Sequence, residues 1–241
     1  MASGQREADV GPEPGRGQAL ARRFGLSRLH AAERVSDLND GIIGTAGIVE
    51  GFAGAGLGGM AVVLAAVSAL IAGSIAVGGT KYAEVAAERE VKAALLTELD
   101  RVLQLSPQEE LAELAELYEA KGLSAGLAEQ VAEELSAHDA LSAHAEAEYG
   151  ISSYSPRPSV AAVGAGLAFM LGAALPLGIV WVTPLSLDGL ITYAAVLVSL
   201  SISAVVLTRI GGSSLWHNVR RSVAIGVLTM TTAWLAGQLF T

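Results

Sequence analysis

The sequence predicts an all-α membrane protein: five transmembrane helices, with a cytoplasmic three-helix acidic insert between helices two and three. Three observations predict it. Of 241 residues, 52% are hydrophobic and only 16% charged. An ordinary soluble domain carries roughly 25% charged residues, so polar side chains are too few to cover a globule of this size. Apolar runs long enough to cross a hydrocarbon core of about 30 Å recur along the chain. Finally, the net charge of −9 is concentrated: residues 81–158 hold sixteen acids against six bases, and the remainder is close to neutral.

Residues 1–30 are rich in Gly, Arg and Pro and contain nothing that could bury a core, so they read as a disordered N-terminal arm. They lack an apolar h-region, and the N-terminus is expected to stay in the cytoplasm. Residues 31–80 hold transmembrane helices one and two. From Gly41 to Thr80 there is one charge, Glu50, and the Gly-rich stretch Gly54–Gly59 supplies a hairpin turn. Residues 159–241 hold the remaining three spans, at 160–182, 188–208 and 222–240.

Lys and Arg beside the spans set the orientation. Arg22, Arg23, Arg28 and Arg34 precede the first helix, and Arg209, Arg220 and Arg221 fill the loop between the fourth and fifth. The connections near Gly58 and Thr183–Asp188 carry neither residue type. The N-terminus, the insert and the Arg209–Arg221 loop are then cytoplasmic.

The insert, 81–158, extends the second membrane helix through Lys81–Asp100 and adds a small helical bundle. Ser106 reads as an N-cap with Pro107 at the first helical position; Leu111, Leu114 and Leu117 form a stripe, and Gly122 stops the helix. A second helix starts near Ser124 with the stripe Leu127, Val131 and Leu135, and a third runs through Ala140–Tyr149 to Gly150.

Several groups could carry chemistry. Glu110, Glu113 and Glu116 recur at three-residue spacing, which places neighbouring carboxylates on one helix surface, where a divalent cation would relieve their repulsion. Clustered carboxylates with an imidazole suit Mn²⁺ or Fe²⁺ better than soft metals. The same spacing also describes the solvated face of a short amphipathic helix. His144 and Glu148 form an i, i+4 pair that could complete a metal site; an isolated pair of this kind is more often surface decoration. Asp40 stands at the cytoplasmic start of the first helix and Glu50 near its middle. Ionisable groups at that depth cost roughly 3 kcal/mol or more, so they face a bundle interior or a water-filled path. In its neutral form Glu50 would also suit a proton-coupled step.

Other classes are disfavoured. The chain has no cysteine, which excludes disulfides, thiolate metal sites, iron–sulfur clusters and a cysteine nucleophile. No Ser/His/Asp arrangement, phosphate loop or HExxH motif is present, so an enzyme is not expected. The acidic excess repels nucleic acid and invites cations.

Taken with the order of elements, LNDGIIGTAGIVEGFAGAG, AGSIAVGGTKYAEVAAERE, EELAELAELYEAKGLS, DALSAHAEAEYGI and GAALPL resemble the vacuolar iron transporter family in its bacterial branch, over about residues 30–240. The resemblance implies a homodimer in a bacterial cell membrane that moves Fe²⁺ or Mn²⁺ out of the cytosol in exchange for protons. It implies no tightly bound cofactor, and an insert that gathers metal beneath the pore. The family's pore aspartate falls on Asp40, followed by Gly41. Its insert glutamates fall on Glu110, Glu113 and Glu148, a methionine-bearing position falls on His144, and the helix-three proline on Pro176. The chain departs from the pattern at Val77 and Lys81, where the family has a methionine and a glutamate. It departs again at Ala69, and at Leu99 and Val102, with Glu98 and Asp100 as neighbouring substitutes. A transport-impaired relative acting as a membrane-anchored metal-binding or protein-interaction module is therefore the alternative expectation.

Overall fold

The computed structural model describes residues 28–151, 157–182, 188–211 and 214–240. Among these the protein is entirely helical. Seven helices follow one another: α1 (Arg28–Gly54), α2 (Met60–Leu105), α3 (Pro107–Ala120), α4 (Ala125–Tyr149), α5 (Pro158–Val182), α6 (Asp188–Gly211) and α7 (Leu215–Gln238). Most of the N-terminal arm, 1–27, and the 183–187 part of the Thr183–Asp188 connection lie outside the described residues. The helices fall into two compact units, one formed by residues up to Gly78 together with those from Val163 onward, the other by Gly79–Ala162.

In the first unit, glycines let helix backbones touch. A Cβ at Gly172 would collide with the Leu38 carbonyl oxygen, one at Gly41 with the Phe169 carbonyl, and one at Gly54 with the Trp234 carbonyl. Such close approach is how helices associate where burial against lipid offers little driving force. A core of Ile42 and Ala46 from α1, Val196 and Leu200 from α6 and Met230 from α7 fills the centre. A second cluster joins Val49 and Phe52 to Val62 and Ala66 of α2 and Leu177 and Val180 of α5. The outward faces stay apolar: Leu64, Ile71 and Ile75 on α2, Leu167 and Leu171 on α5, and Leu228 and Leu235 on α7 are all more than half exposed. By length and composition, two helices among the described residues can cross a membrane, Met60–Leu105 and the Pro158–Trp181 part of α5, and a shorter apolar stretch covers Tyr193–Val206.

The α1–α2 connection follows the glycine pattern. Helix α1 ends at Gly54, and Gly56 and Gly59 adopt positive φ (70° and 61°) before α2 begins. Two boundaries differ from the sequence reading. Helix α6 runs on to Gly211 and α7 starts at Leu215, so Arg209, Arg220 and Arg221 all lie on helices rather than in the loop between them.

The second unit contains the rest of α2 and the antiparallel pair α3 and α4. Pro107 opens α3, although the Ser106 side chain makes no capping hydrogen bond. The chain turns at Gly122 (φ 103°). Lys121 braces the pair: its ammonium stands 5.0 Å from the Tyr118 ring centre and donates to the Ala147 carbonyl at 3.5 Å.

The buried face of α4 is not the expected leucine stripe. Leu114 and Ala115 pack against Ala128 and Ala132, with Leu111, Tyr118, Leu123, Ala143 and Ala147 around them, while Leu127 and Leu135 are exposed. Alanines allow the two helices to approach, and Leu114 then fills the space that remains. Ala125–Tyr149 is also not one regular helix. Asp139 has extended backbone angles, and its carboxylate accepts hydrogen bonds from the Ser142 amide (3.0 Å) and hydroxyl (2.6 Å). It thereby caps a new helical stretch, Ala140–Tyr149, which ends at Gly150 in the left-handed conformation.

Candidate metal centre

The restarted helix after Asp139 and the first turns of α3 carry the acid and imidazole groups singled out above. Three residues into α3, Glu110 is mostly buried, its side chain 12% exposed. His144, in the second turn after the break, is 1% exposed, so it belongs to the interior of the hairpin rather than to its surface. Its Nδ1 stands 3.7 Å from Glu110 Oε2. That is too long for a hydrogen bond, and neither ring nitrogen has a hydrogen-bond partner. Leaving a buried imidazole unsatisfied costs about 1–3 kcal/mol.

The same spacing has a second meaning. Two ligands each about 2.1 Å from a shared ion stand about 3.4 Å apart in a tetrahedral site and about 3.0 Å apart in an octahedral one. The Glu110–His144 separation exceeds both, so the two side chains would have to draw together to share an ion.

Glu148 lies one turn beyond His144 and is exposed. Tyr149 is a site residue the sequence reading missed; only its place between Glu148 and Gly150 could have suggested it. Its phenol is held above the ordinary tyrosine value. The adjacent Glu148 carboxylate is the largest cause, followed by partial desolvation and the further negative charge of Glu113 and Glu110. Glu116 is exposed and is not among the carboxylates acting on Tyr149. Among the described residues, no three His, Asp or Glu side chains are already gathered as a ligand set.

The neighbouring acids on α2 are engaged locally. Glu98 pairs with Arg101 at 2.5 Å and is held below the usual carboxylate range by that hydrogen bond. Asp100 accepts from the Gln104 amide at 2.9 Å. Leu99, where the resemblance places a glutamate, is buried. Lys81 pairs with Glu84 at 3.2 Å, which offsets part of its charge.

The other two candidates belong to the first unit, on α1. Asp40 is exposed. Its neighbour Asn39 accepts a hydrogen bond from Ser203 of α6 at 2.5 Å, and Asp37, one turn back, pairs with Arg34 at 3.1 Å. Glu50 is 2% exposed and its Oε1 has no hydrogen-bond partner. A carboxyl group in an apolar bundle without compensation marks a functional position by default.

Over 117 residues, the chain is 36% identical to a protein described as vacuolar iron transporter from Acanthamoeba castellanii (strain ATCC 30010 / Neff). The aligned stretch covers 48% of this chain and 45% of that relative, so less than half the relative's length is matched. The family model is more extensive: the VIT family description matches residues 32–238. That span takes in α1 to α7 almost entirely, and the chain belongs to the VIT family.

Proposed function

We propose that this chain is a multi-pass membrane transporter that moves divalent metal, Fe²⁺ or Mn²⁺, out of the cytosol by exchange for protons, working as a homodimer. The observation that carries the proposal is the family match across residues 32–238.

Five spans are supported by the directions of the helices in the first unit. Asn39 meets Ser203, and Ile42 and Ala46 meet Leu200 and Val196, so α1 and α6 run antiparallel. Asn218 donates to Thr208 at 3.0 Å and Gly226 lies on Leu200, so α6 and α7 are antiparallel too. Gly47 beside Thr229 and Gly51 beside Ala233 make α1 and α7 parallel. Gly166 beside Ser74 and Gly73 beside Phe169 set α5 antiparallel to α2. Serial crossings of one bilayer alternate in this way, and the N-terminus and acidic unit are then cytoplasmic by the positive-inside rule.

In this reading Glu110, Glu113, His144 and Glu148 collect the ion, with Glu116 adding negative potential beside them. Oxygen and imidazole donors fit hard and borderline dications. Asp40 offers a carboxylate at the entrance, and Glu50 is the next ionisable position along α1, about 15 Å further at 1.5 Å per residue.

A second reading, a transport-impaired relative that binds metal or a protein through the acidic unit, is favoured by Val77 and Lys81 on α2. The Lys81–Glu84 pair weakens that objection. Metal flux into proteoliposomes, across a panel of divalent ions with and without a pH gradient, separates the two. Uptake that falls in Asp40→Ala and Glu113→Ala supports transport, and indifference to both changes counts against it. Binding without flux would favour the second reading.

A further inference from the structure

We propose that the outer groove between α6 and α7 is a binding site for an anionic phospholipid, whose acyl chain lies in the groove and whose phosphate is held by Arg209 and Arg220. The inference rests on the reading that these two helices cross the bilayer.

The groove is an open trough of about 450 Å³, and its walls include Ile202 and Val205 of α6 and Leu215, Val219 and Val223 of α7. Ser201 is the polar side chain in its lining, and that hydroxyl already donates to the Leu197 carbonyl at 2.7 Å. The groove therefore offers a hydrocarbon occupant dispersion contacts and makes no hydrogen-bonding demand on it.

One end of the groove is cationic. Arg209 follows Val205 by four residues and Ile202 by seven, so it continues the groove-lining face of α6 by one turn. The antiparallel register set by Thr208 with Asn218 brings Arg220 level with Val206, and Arg220 flanks the groove-lining Val223 three residues on, whereas Arg221, two residues from both Val219 and Val223, lies on the far side of α7. All three arginines are exposed, and none forms an ion pair with a described residue. The acid carried by these two helices, Asp188, is at the opposite end of α6. Trp216 sits at the same end as the arginines, 72% exposed, where an indole ring anchors at a headgroup region. Guanidinium groups bind phosphate oxygens in bidentate fashion, and basic residues at the ends of membrane helices attract anionic lipid. An apolar trough that runs into unpaired arginines beside an interfacial tryptophan matches the two halves of such a lipid.

The test uses the full chain in detergent micelles, with binding of dioleoyl phosphatidylglycerol and dioleoyl phosphatidylcholine measured by native mass spectrometry. The wild type is expected to hold phosphatidylglycerol about tenfold more tightly. A double variant, Arg209→Gln with Arg220→Gln, should lose that preference while keeping its phosphatidylcholine affinity. The corresponding double lysine variant should retain part of it, which separates charge from damage to the fold. Ile202→Trp, which fills the groove, should weaken both lipids. Equal affinity of the wild type for the two lipids overturns the proposal, as does a preference that survives the double glutamine variant.

Because the chain has no cysteine, Ile202→Cys gives a single probe. Labelling in phosphatidylglycerol vesicles by an apolar maleimide supports lipid at this face. High-yield disulfide dimers would overturn the proposal by putting a second copy of the chain there. Alkaline extraction separates the two levels of inference. A chain released from vesicles defeats the membrane-crossing reading and this one together; a retained chain without headgroup preference defeats this one alone.

Discussion

The two units use opposite means to hold helices together. In the first, glycines press against main-chain carbonyls, as Gly172 does on Leu38 and Gly237 on Gly51, while large apolar side chains point outward. In the second, a leucine is enclosed by alanines and the outside is carboxylate. Burying apolar surface drives association only where the alternative is water. The contrast shows which solvent each unit is built for, and it also explains why the buried carboxyl of Glu50 is exceptional in one while exposed acids are routine in the other.

The sharpest way to break the comparison is to add side-chain volume to the first unit. Gly172→Val forces atoms into the Leu38 backbone, which cannot rotate aside, and should destabilise the bundle by about 3 kcal/mol or more. Thermal unfolding in detergent reads this, with Gly44→Ala as a neutral control because nothing lies within 4 Å of its added Cβ. Removing volume from the second unit is the converse. Leu114→Ala should cost about 3 kcal/mol and release amide protection in α3 and α4 by hydrogen exchange, with the glycine-packed helices unchanged. If either change loosens both units equally, the two are not independently built.

A smaller effect is expected at the ligand cluster. Glu110→Gln and His144→Ala should each lower Mn²⁺ affinity at least tenfold by calorimetry, about the lower end of what even outer-shell changes cost a metal site. Glu116→Gln should change it least. The smallest effect concerns Asp139, whose carboxyl is held below the usual range by the Ser142 hydroxyl and amide. The stability this contributes is fully present above the unfolded-chain value of about 3.9 and is lost as pH falls through the lower folded value. Protection of the Ser142 amide should therefore drop on acidification below about pH 4, and Asp139→Ala should remove that pH dependence.

Much of the helical plan was readable from punctuation. Gly54–Gly59, Pro107, Gly122 and Gly150 mark ends because their backbones either cannot continue a helix or readily adopt positive φ. Burial within the alanine-rich hairpin was less readable. Periodicity offers both the Leu127–Leu135 and the Ala128–Ala132 stripes of α4, and the choice depends on how closely α3 approaches. For the same reason His144 looked like a surface residue. Its burial follows from alanine neighbours too small to announce a core, and its proximity to Glu110 is a tertiary fact separated by 34 positions in sequence. The charge at Arg220 and Arg221 was legible, but its place on α7 was not, because the helix extends into polar residues before its apolar run begins.

The interruption at Asp139 has a mechanical result. His144 and Glu148 ride on about three turns of helix with a cap at each end, rather than on a rod of about seven turns. That cassette is fastened to α3 by Ala143 and Ala147 beside Leu114 and by the Lys121 bond to the Ala147 carbonyl. The break at Asp139 lets it take its own angle to α3, independent of Ala125–His138, and so points His144 at Glu110.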